Sequence, residues 1–448
     1  MKKKIKYKVL VLAIFLFGFL LLYPLFPNQD NQIAFALLIT VALLWMTEAV
    51  PLAMTALLIP VAAVVLQLLP TNEAFQEFAH PVIFLFMGGF VLAGALSKYG
   101  LDKLLGQKLL KLANGNFYKS SILLMLATAL TACWVSNTST VAMMLPLGLG
   151  ILVLINKDTS SNESRFLMLG IAYSANSGGI ITMVGSPPNA IGAAALDLSF
   201  LQWSSYAFPV FLLTFPVMVL LLTLYFKPDR SLTIGAMISP SKERKPNKAL
   251  LGIFFLTVLL WMMDGVVSPL LHIQDNFNSL VALMAIFLLL VTKVLSWEEI
   301  QKSIRWEILL LFGGGLTLGK IIEHSGLAAI LVGHVSSLIT AIPILLFLWI
   351  IVLFTILLTE FMSNTASAAL IVPLLYSLAI QLHINPIILV FPATIAASYG
   401  FMLPVGTPPN AMAISTGEVP QRDMMRIGLL LNLLFSIILT LYFYFVLY

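Results

Sequence analysis

Charge is scarce in this chain of 448 residues: Asp, Glu, Lys and Arg make up 10%, against 60% hydrophobic residues. About a quarter of a soluble domain is charged, and no soluble domain of this length hides so much apolar surface. The single cysteine, Cys133, excludes an intramolecular disulfide and a cysteine metal cluster. Strand-like alternation is missing, which excludes an outer-membrane barrel. There is no His/Cys cluster, no pair of neighbouring carboxylates in the apolar segments and no phosphate loop, so an enzyme embedded in the membrane is not expected. A small-residue cleavage site is also missing. Leu25-Phe26-Pro27 follows MKKKIKYK and its apolar run, so this segment is expected to stay as a first helix, its five lysines in the cytoplasm.

What the chain has is apolar length. Mean hydropathy is +1.02, and the sequence divides into stretches of roughly 18–25 residues, enough for a helix to cross ~30 Å of hydrocarbon. Spans are expected near 9–26, 31–50, 52–69, 81–97, 166–182, 206–226, 249–268, 278–295, 306–322, 385–403 and 427–447. Regions 120–155 and 342–380 are each long enough for two short helices and carry a polar break midway. The expected fold class is an all-α polytopic membrane protein: about 11 transmembrane helices plus two re-entrant hairpins.

Basic residues orient the chain. Five lysines fall between Lys98 and Lys119 and six basic residues between Lys227 and Lys248, whereas 321–385 has no Lys or Arg. The positive-inside rule places 98–119 and 227–248 in the cytoplasm and 325–342 outside. The net charge of +5 reflects these loops rather than nucleic-acid binding.

These regions lie inside an internal repeat. FLFMGGFVLAGALSKYGL at 84–101 matches LLFGGGLTLGKIIEHSGL at 310–327, with Gly88-Gly89 over Gly314-Gly315. Ser136-Asn137-Thr138 recurs as Ser363-Asn364-Thr365, and Gly185-Ser186-Pro187-Pro188-Asn189 as Gly406-Thr407-Pro408-Pro409-Asn410. Equivalent elements follow opposite charge signals, so the repeats are expected to be inverted across the membrane. Inverted repeats with interrupted helices at matching places point to a transporter's midplane site.

Each motif has a physical reading. Ser and Asn break an apolar helix and favour N-cap positions, so the second arm of each hairpin starts at the tip with its positive dipole end facing inward. A carboxylate can then be held by hydroxyls, amides and backbone N–H groups without an arginine; neither tip carries Lys or Arg, which makes bound cations the expected counter-charge. Tandem prolines force a spanning helix to open. The freed carbonyls near 182–186 and 403–407 are hard oxygen ligands suited to Na⁺, with Asn189 and Asn410 beside them. Glu360 is either a proton or cation partner or a structural anchor of its hairpin. Glu48 is expected only to anchor a helix end, and His80, His272, His324, His334 and His383, at span ends or loops, are given no role.

From MTEAVP at 46–51 to GTPPNA at 406–411, with its paired SNT motifs, the chain resembles the divalent anion/sodium symporter family, bacterial dicarboxylate transporters related to animal sodium–carboxylate carriers. The resemblance implies a homodimeric elevator-type transporter of the inner membrane, with sodium as coupling ion and no organic cofactor. Segments 1–80 and 249–305 would be scaffold, 81–226 the first repeat (hairpin 120–155, broken helix 166–200), 227–248 a cytoplasmic linker and 306–448 the second repeat (hairpin 342–380, broken helix 385–416). Ser136, Asn137, Thr138, Ser186, Ser363, Asn364, Thr365, Thr407 and Pro408 would contact substrate. Sodium would sit near Ser136, Asn137 and Gly185, and near Thr359, Asn364 and Gly406. The family often has a hydroxyl four residues before the first Ser, as Thr359 stands to Ser363; here Ala132 fills that place, with Thr131 or a backbone carbonyl as substitute. The expected function is sodium-coupled symport of C4-dicarboxylates such as succinate, malate or fumarate, with the N-terminus cytoplasmic and the C-terminus outside. A sodium-independent dicarboxylate/2-oxoglutarate exchanger is the alternative; a passive channel suits broken hairpins less well.

Overall fold

The computed structural model describes residues 5–26, 28–100, 113, 115–155, 161–234, 247–273, 276–330, 333 and 342–447. His334, Lys111, Ser336 and Ser337 lie outside the described residues, as does most of the 227–248 linker. Among the described residues the backbone forms helices and no strand, with one isolated bridge between Asn116 and Thr233.

Local signals set where the helices begin. Asn28 caps α1's successor α2 (Gln29–Thr47), after α1 (Tyr7–Leu22); Pro51 precedes α3 (Leu52–Val65). The short α4 (Thr71–Gln76) leads through a 3₁₀ turn to α5 (Pro81–Lys98), where Pro81 occupies a first-turn position that needs no N–H donor. Asn116 caps α6 (Phe117–Ala132), Ser136 caps α7 (Asn137–Leu154) and Ser161 caps α8 (Asn162–Gly178). α9 (Pro187–Ala195) opens on the proline pair, and Ser199 with Gln202 forms a capping box for α10 (Phe200–Phe226).

The second half follows the same order. α11 (Lys248–Met262), α12 (Asp264–Leu270), α13 (Phe277–Val291) and α14 (Trp297–Ser303) precede α15 (Trp306–His324). Then come α16 (Ile344–Phe361), α17 (Asn364–Gln381), α18 (Pro386–Ala396), α19 (Pro408–Ser415) and α20 (Gln421–Leu447). Seven described helices are long and apolar enough to cross a membrane, or eight if α11 and α12 count as one bent span, and five shorter apolar helices accompany them.

That bent pair departs from the single span expected at 249–268. The chain turns by 85° at Met263. Asp264 there accepts a hydrogen bond from Asn278 Nδ2 at 3.0 Å, and Trp261 Nε1 donates to Asn278 O at 2.9 Å. Pairing the aspartate with α13 gives a polar group a partner that a straight apolar helix would deny it. The first residues of the linker also differ from a freely solvated strap: Phe117 N donates to Leu232 O, and Asn116 Nδ2 to Arg230 O, tying 230–233 to the start of α6.

Two packing groups position the site. In one, α1 packs on α2, α3 on α15, and α5 on α13. In the other, α6, α7 and α10 pack on α8, while α16 and α20 enclose α18. α17 joins them, meeting α15 on one side and α9 and α18 on the other. Gly88 lies where an added Cβ would come within 2.6 Å of Ala282 Cβ, and Gly314 where one would come within 2.6 Å of Ala56 Cβ. Gly88 and Gly314 are 226 positions apart, and so are Ala56 and Ala282. The repeat therefore reaches back to α3 and α13, beyond the stretch in which the sequence showed it.

Candidate functional site

Each hairpin turns where its serine caps the returning helix. Ser136 Oγ accepts from Ser139 N at 3.4 Å, and Ser363 Oγ from Ala366 N at 3.2 Å. Behind each tip lies a broken helix. The chain leaves helical geometry after Gly178 and resumes it at Pro187; in the second repeat it leaves after Ala396 and resumes at Pro408.

A cavity of about 800 Å³ opens between these four elements. Ser136, Asn137 and Thr138 line it from one tip, Ser363, Asn364 and Thr365 from the other. The breaks contribute Gly185 and Ser186 on one side and Gly406, Thr407 and Pro408 on the other. All nine residues expected at substrate are thus gathered around one space, with five of the six expected at sodium. Thr359 stands behind it, fully buried.

The asparagines of the PPN motifs have a definite task. Asn189 Nδ2 donates to the carbonyls of Gly179 and Thr182 at 2.8 and 2.7 Å, and Asn410 Nδ2 to those of Gly400 and Leu403 at 2.9 and 3.1 Å. Part of the freed carbonyl set is therefore satisfied by the motif itself. Other oxygens stay short of donors. Asn137 Oδ1 is buried with no hydrogen-bond partner. Beside it, an added Cβ at Gly185 would meet the carbonyl oxygens of Gly179, Ala132 and Cys133 at 2.5, 3.0 and 3.1 Å, of which Gly179 O accepts from Asn189 Nδ2 and Cys133 O from Thr182 Oγ1. In the second repeat, Thr359 Oγ1 has two acceptors, Asn364 Oδ1 at 2.9 Å and Ala397 O at 2.8 Å. A hydroxyl carries one proton and serves one of them at a time. Each tip thus backs onto a small oxygen-rich space that holds an acceptor short of a donor, Asn137 Oδ1 in the first and one of the two sharing the Thr359 proton in the second, a set of oxygens that suits a hard monovalent cation.

Ala132 occupies the position of Thr359 in the first repeat, so the hydroxyl that the second repeat uses is missing there, while the Ala132 carbonyl lies beside Gly185. Thr131 Oγ1 is buried without a hydrogen-bond partner but does not line the cavity.

Sequence reasoning missed Asn176, Arg305 and Lys6 as residues of this cavity. Asn176, fully buried in α8, accepts from Asn137 Nδ2 at 3.3 Å and donates to Thr407 Oγ1 at 3.2 Å, linking the first tip to the second break. An amide in the last turn of an apolar helix before a break was the available signal. Arg305, preceding α15, donates from Nη2 to Ser136 Oγ at 2.6 Å and lines the cavity. Fixed positive charge therefore does reach the tip, from a residue that the sequence presented only as a span boundary. Lys6 and Glu48 also line the cavity; Lys6 Nζ donates to Thr47 O at 2.7 Å, and Glu48, with φ of 45°, ends α2 there.

Glu360 resolves as an anchor. Its Oε1 accepts from Met402 N at 2.7 Å and Asn432 Nδ2 at 2.6 Å, and its Oε2 from Leu403 N at 2.7 Å. A fully buried carboxylate here clamps the second broken turn to α16 and α20. Its counterpart in the first repeat is Cys133, whose carbonyl accepts from Thr182 Oγ1.

A chain whose described residues fold as helices, with paired hairpins and broken helices around one polar cavity, is a multi-pass membrane transporter. Its relatives are transporters, not enzymes. The chain belongs to the citrate transporter family, whose sequence profile matches residues 42–391 and 344–448. It is 42% identical to an uncharacterized transporter of Haemophilus influenzae, over 96% of this chain and 95% of that one. A sodium-dependent dicarboxylate transporter of Staphylococcus saprophyticus is 32% identical, over 96% and 89% of the two chains. The kinship expected from the paired motifs holds. The crystal structure of the Alcanivorax borkumensis YdaH transporter shares the fold, with a TM-score of 0.59 at 14% identity over 91% of this chain and 98% of that one.

Proposed function

We propose that this transporter carries C4-dicarboxylates such as succinate, malate or fumarate together with sodium. The observation that carries this reading is the pair of oxygen clusters behind the tips, each with an acceptor short of a donor: Asn137 Oδ1 in the first, and Asn364 Oδ1 with Ala397 O sharing the Thr359 proton in the second. Cations held there would satisfy those oxygens and supply positive charge beside hydroxyls, amides and helix N-termini that can hold a carboxylate. The sodium dependence named for the staphylococcal relative supports it. Uptake of labelled succinate into proteoliposomes with a sodium gradient and no internal substrate tests it. Uptake that instead requires trapped dicarboxylate and ignores sodium identifies the exchanger, which Ala132 favours by removing one hydroxyl oxygen from the first cluster.

In this proposal the chain is an inner-membrane homodimer in which the hairpin-bearing group moves as an elevator against the α3–α15 and α5–α13 group. Sodium would lie between each tip and its break, near Ser136, Asn137 and Gly185, and near Thr359, Asn364 and Gly406. The repeats are inverted, with the N-terminus inside and the C-terminus outside. A cysteine placed at Lys111 is then labelled only from the cytoplasm and one at Ser336 or Ser337 only from outside, with native Cys133 buried and silent. Labelling of both sites from one side contradicts the inversion.

A further inference from the structure

We infer that Arg305 is a charge-selecting residue of the substrate site, supplying the fixed cation that pairs with one carboxylate of a bound dianion. This rests on the proposed dicarboxylate reading and adds a residue outside both repeated motifs. Arg305 is half-buried, and among the described residues its guanidinium donates one hydrogen bond, to Ser136 Oγ. A guanidinium has five N–H donors in a planar fork matched to a carboxylate. Buried charges are normally paired, yet no carboxylate among the described residues forms an ion pair with Arg305. The remaining guanidinium donors are left for an anionic ligand in the cavity that Arg305 lines.

The surroundings agree. Arg305 lies between the main cavity and a second one of about 380 Å³, which Lys98 and Lys302 also line. Lys98 is held by Glu299 at 2.7 Å. The wall on this side is nevertheless positive in sum, and a charged cleft concentrates ions of opposite sign. Ser136 and Gly185 belong to both cavities, so an anion drawn to Arg305 is already at the first tip. The charge also comes from the other packing group: Arg305 precedes α15, which packs on α3, whereas Ser136 belongs to the hairpin.

The test compares wild type, Arg305→Lys and Arg305→Gln in proteoliposomes, with succinate and its monomethyl ester, one charge short, competing against labelled succinate. In Arg305→Gln the KM for succinate should rise about tenfold with a much smaller change in maximal rate, because a charge-assisted hydrogen bond is lost. Inhibition by the monoester should weaken far less, so the preference for the dianion collapses, and Arg305→Lys should retain part of it. An unchanged preference overturns the inference, whether uptake is normal or reduced equally for both compounds. If Arg305→Gln does not fold, Arg305→Lys decides by the same ratio, which should fall below wild type. A wild type that takes up no dicarboxylate refutes the proposed function instead. The ratio is then measured with whichever anion it carries and the analogue lacking one charge, and the same two outcomes apply.

Discussion

Asn137→Ala is expected to lower succinate uptake at least about tenfold, because an unpaired buried partner costs about 1–3 kcal/mol and each 1.4 kcal/mol is tenfold. The amide does two things at once. Its Nδ2 donates to Asn176, which continues to Thr407, while its Oδ1 stands buried and unpartnered beside the carbonyls of Gly179, Ala132 and Cys133. Alanine removes the proposed cation ligand and leaves Asn176 Oδ1 without its donor. Asn364→Ala should act similarly, since Asn364 Oδ1 shares the proton of Thr359 with Ala397 O. Both variants should insert and run as wild type in size-exclusion chromatography, because both asparagines are half-buried first-turn residues and the caps Ser136 and Ser363 remain. Near-normal uptake by either variant removes that asparagine from the site.

Glu360→Ala should be the most damaging single change to stability. The carboxylate takes hydrogen bonds from Met402 N, Leu403 N and Asn432 Nδ2, and all three donors would lose their acceptor, the last of them fully buried and the other two half-buried. Leaving a buried donor without its acceptor costs about 1–3 kcal/mol. Glu360→Gln is the sharper test, because it keeps the size and reverses one end of the chemistry. Its NH₂ would face backbone N–H donors or Asn432 Nδ2, and a donor against a donor leaves both unsatisfied. Both variants should unfold at lower temperature than wild type in detergent, with Glu360→Ala lower. A Glu360→Gln protein as stable as wild type would mean that the carboxylate does not hold the turn as an acceptor.

What the sequence made visible follows from how local each cause is. Helix breaks are written in residues that cannot continue a helix, so the serines at 136 and 363 and the proline pairs at 187 and 408 could be read directly. The cavity they enclose followed from their duplication. Arg305 was hidden because its role depends on where α15 packs, and a lone arginine before an apolar run reads as an orienting charge. Asn176 lacks a matching partner, since Ala397 stands at its position in the second repeat and contributes only a backbone carbonyl. The extension of the repeat to α3 and α13 rests on Ala56 and Ala282 facing equivalent glycines, and apolar helices carry little register information of their own. Asp264 was the missed cue to the bend at Met263, because an acid inside an apolar span needs a partner, and only α13 supplies it.

The electrical consequence is the strictest. A dianion entering alone works against an inside-negative potential at about 2.3 kcal/mol per charge per 100 mV. Two sodium ions would neutralise it, and three would give net inward positive charge, so the potential would drive uptake. The deciding measurement is labelled-succinate uptake into proteoliposomes at several external sodium concentrations, with the membrane potential set by a potassium gradient and valinomycin. Sodium should lower the KM for succinate, and an inside-negative potential should accelerate uptake. Uptake that is indifferent to both sodium and voltage, and that proceeds only against trapped dicarboxylate, contradicts sodium coupling.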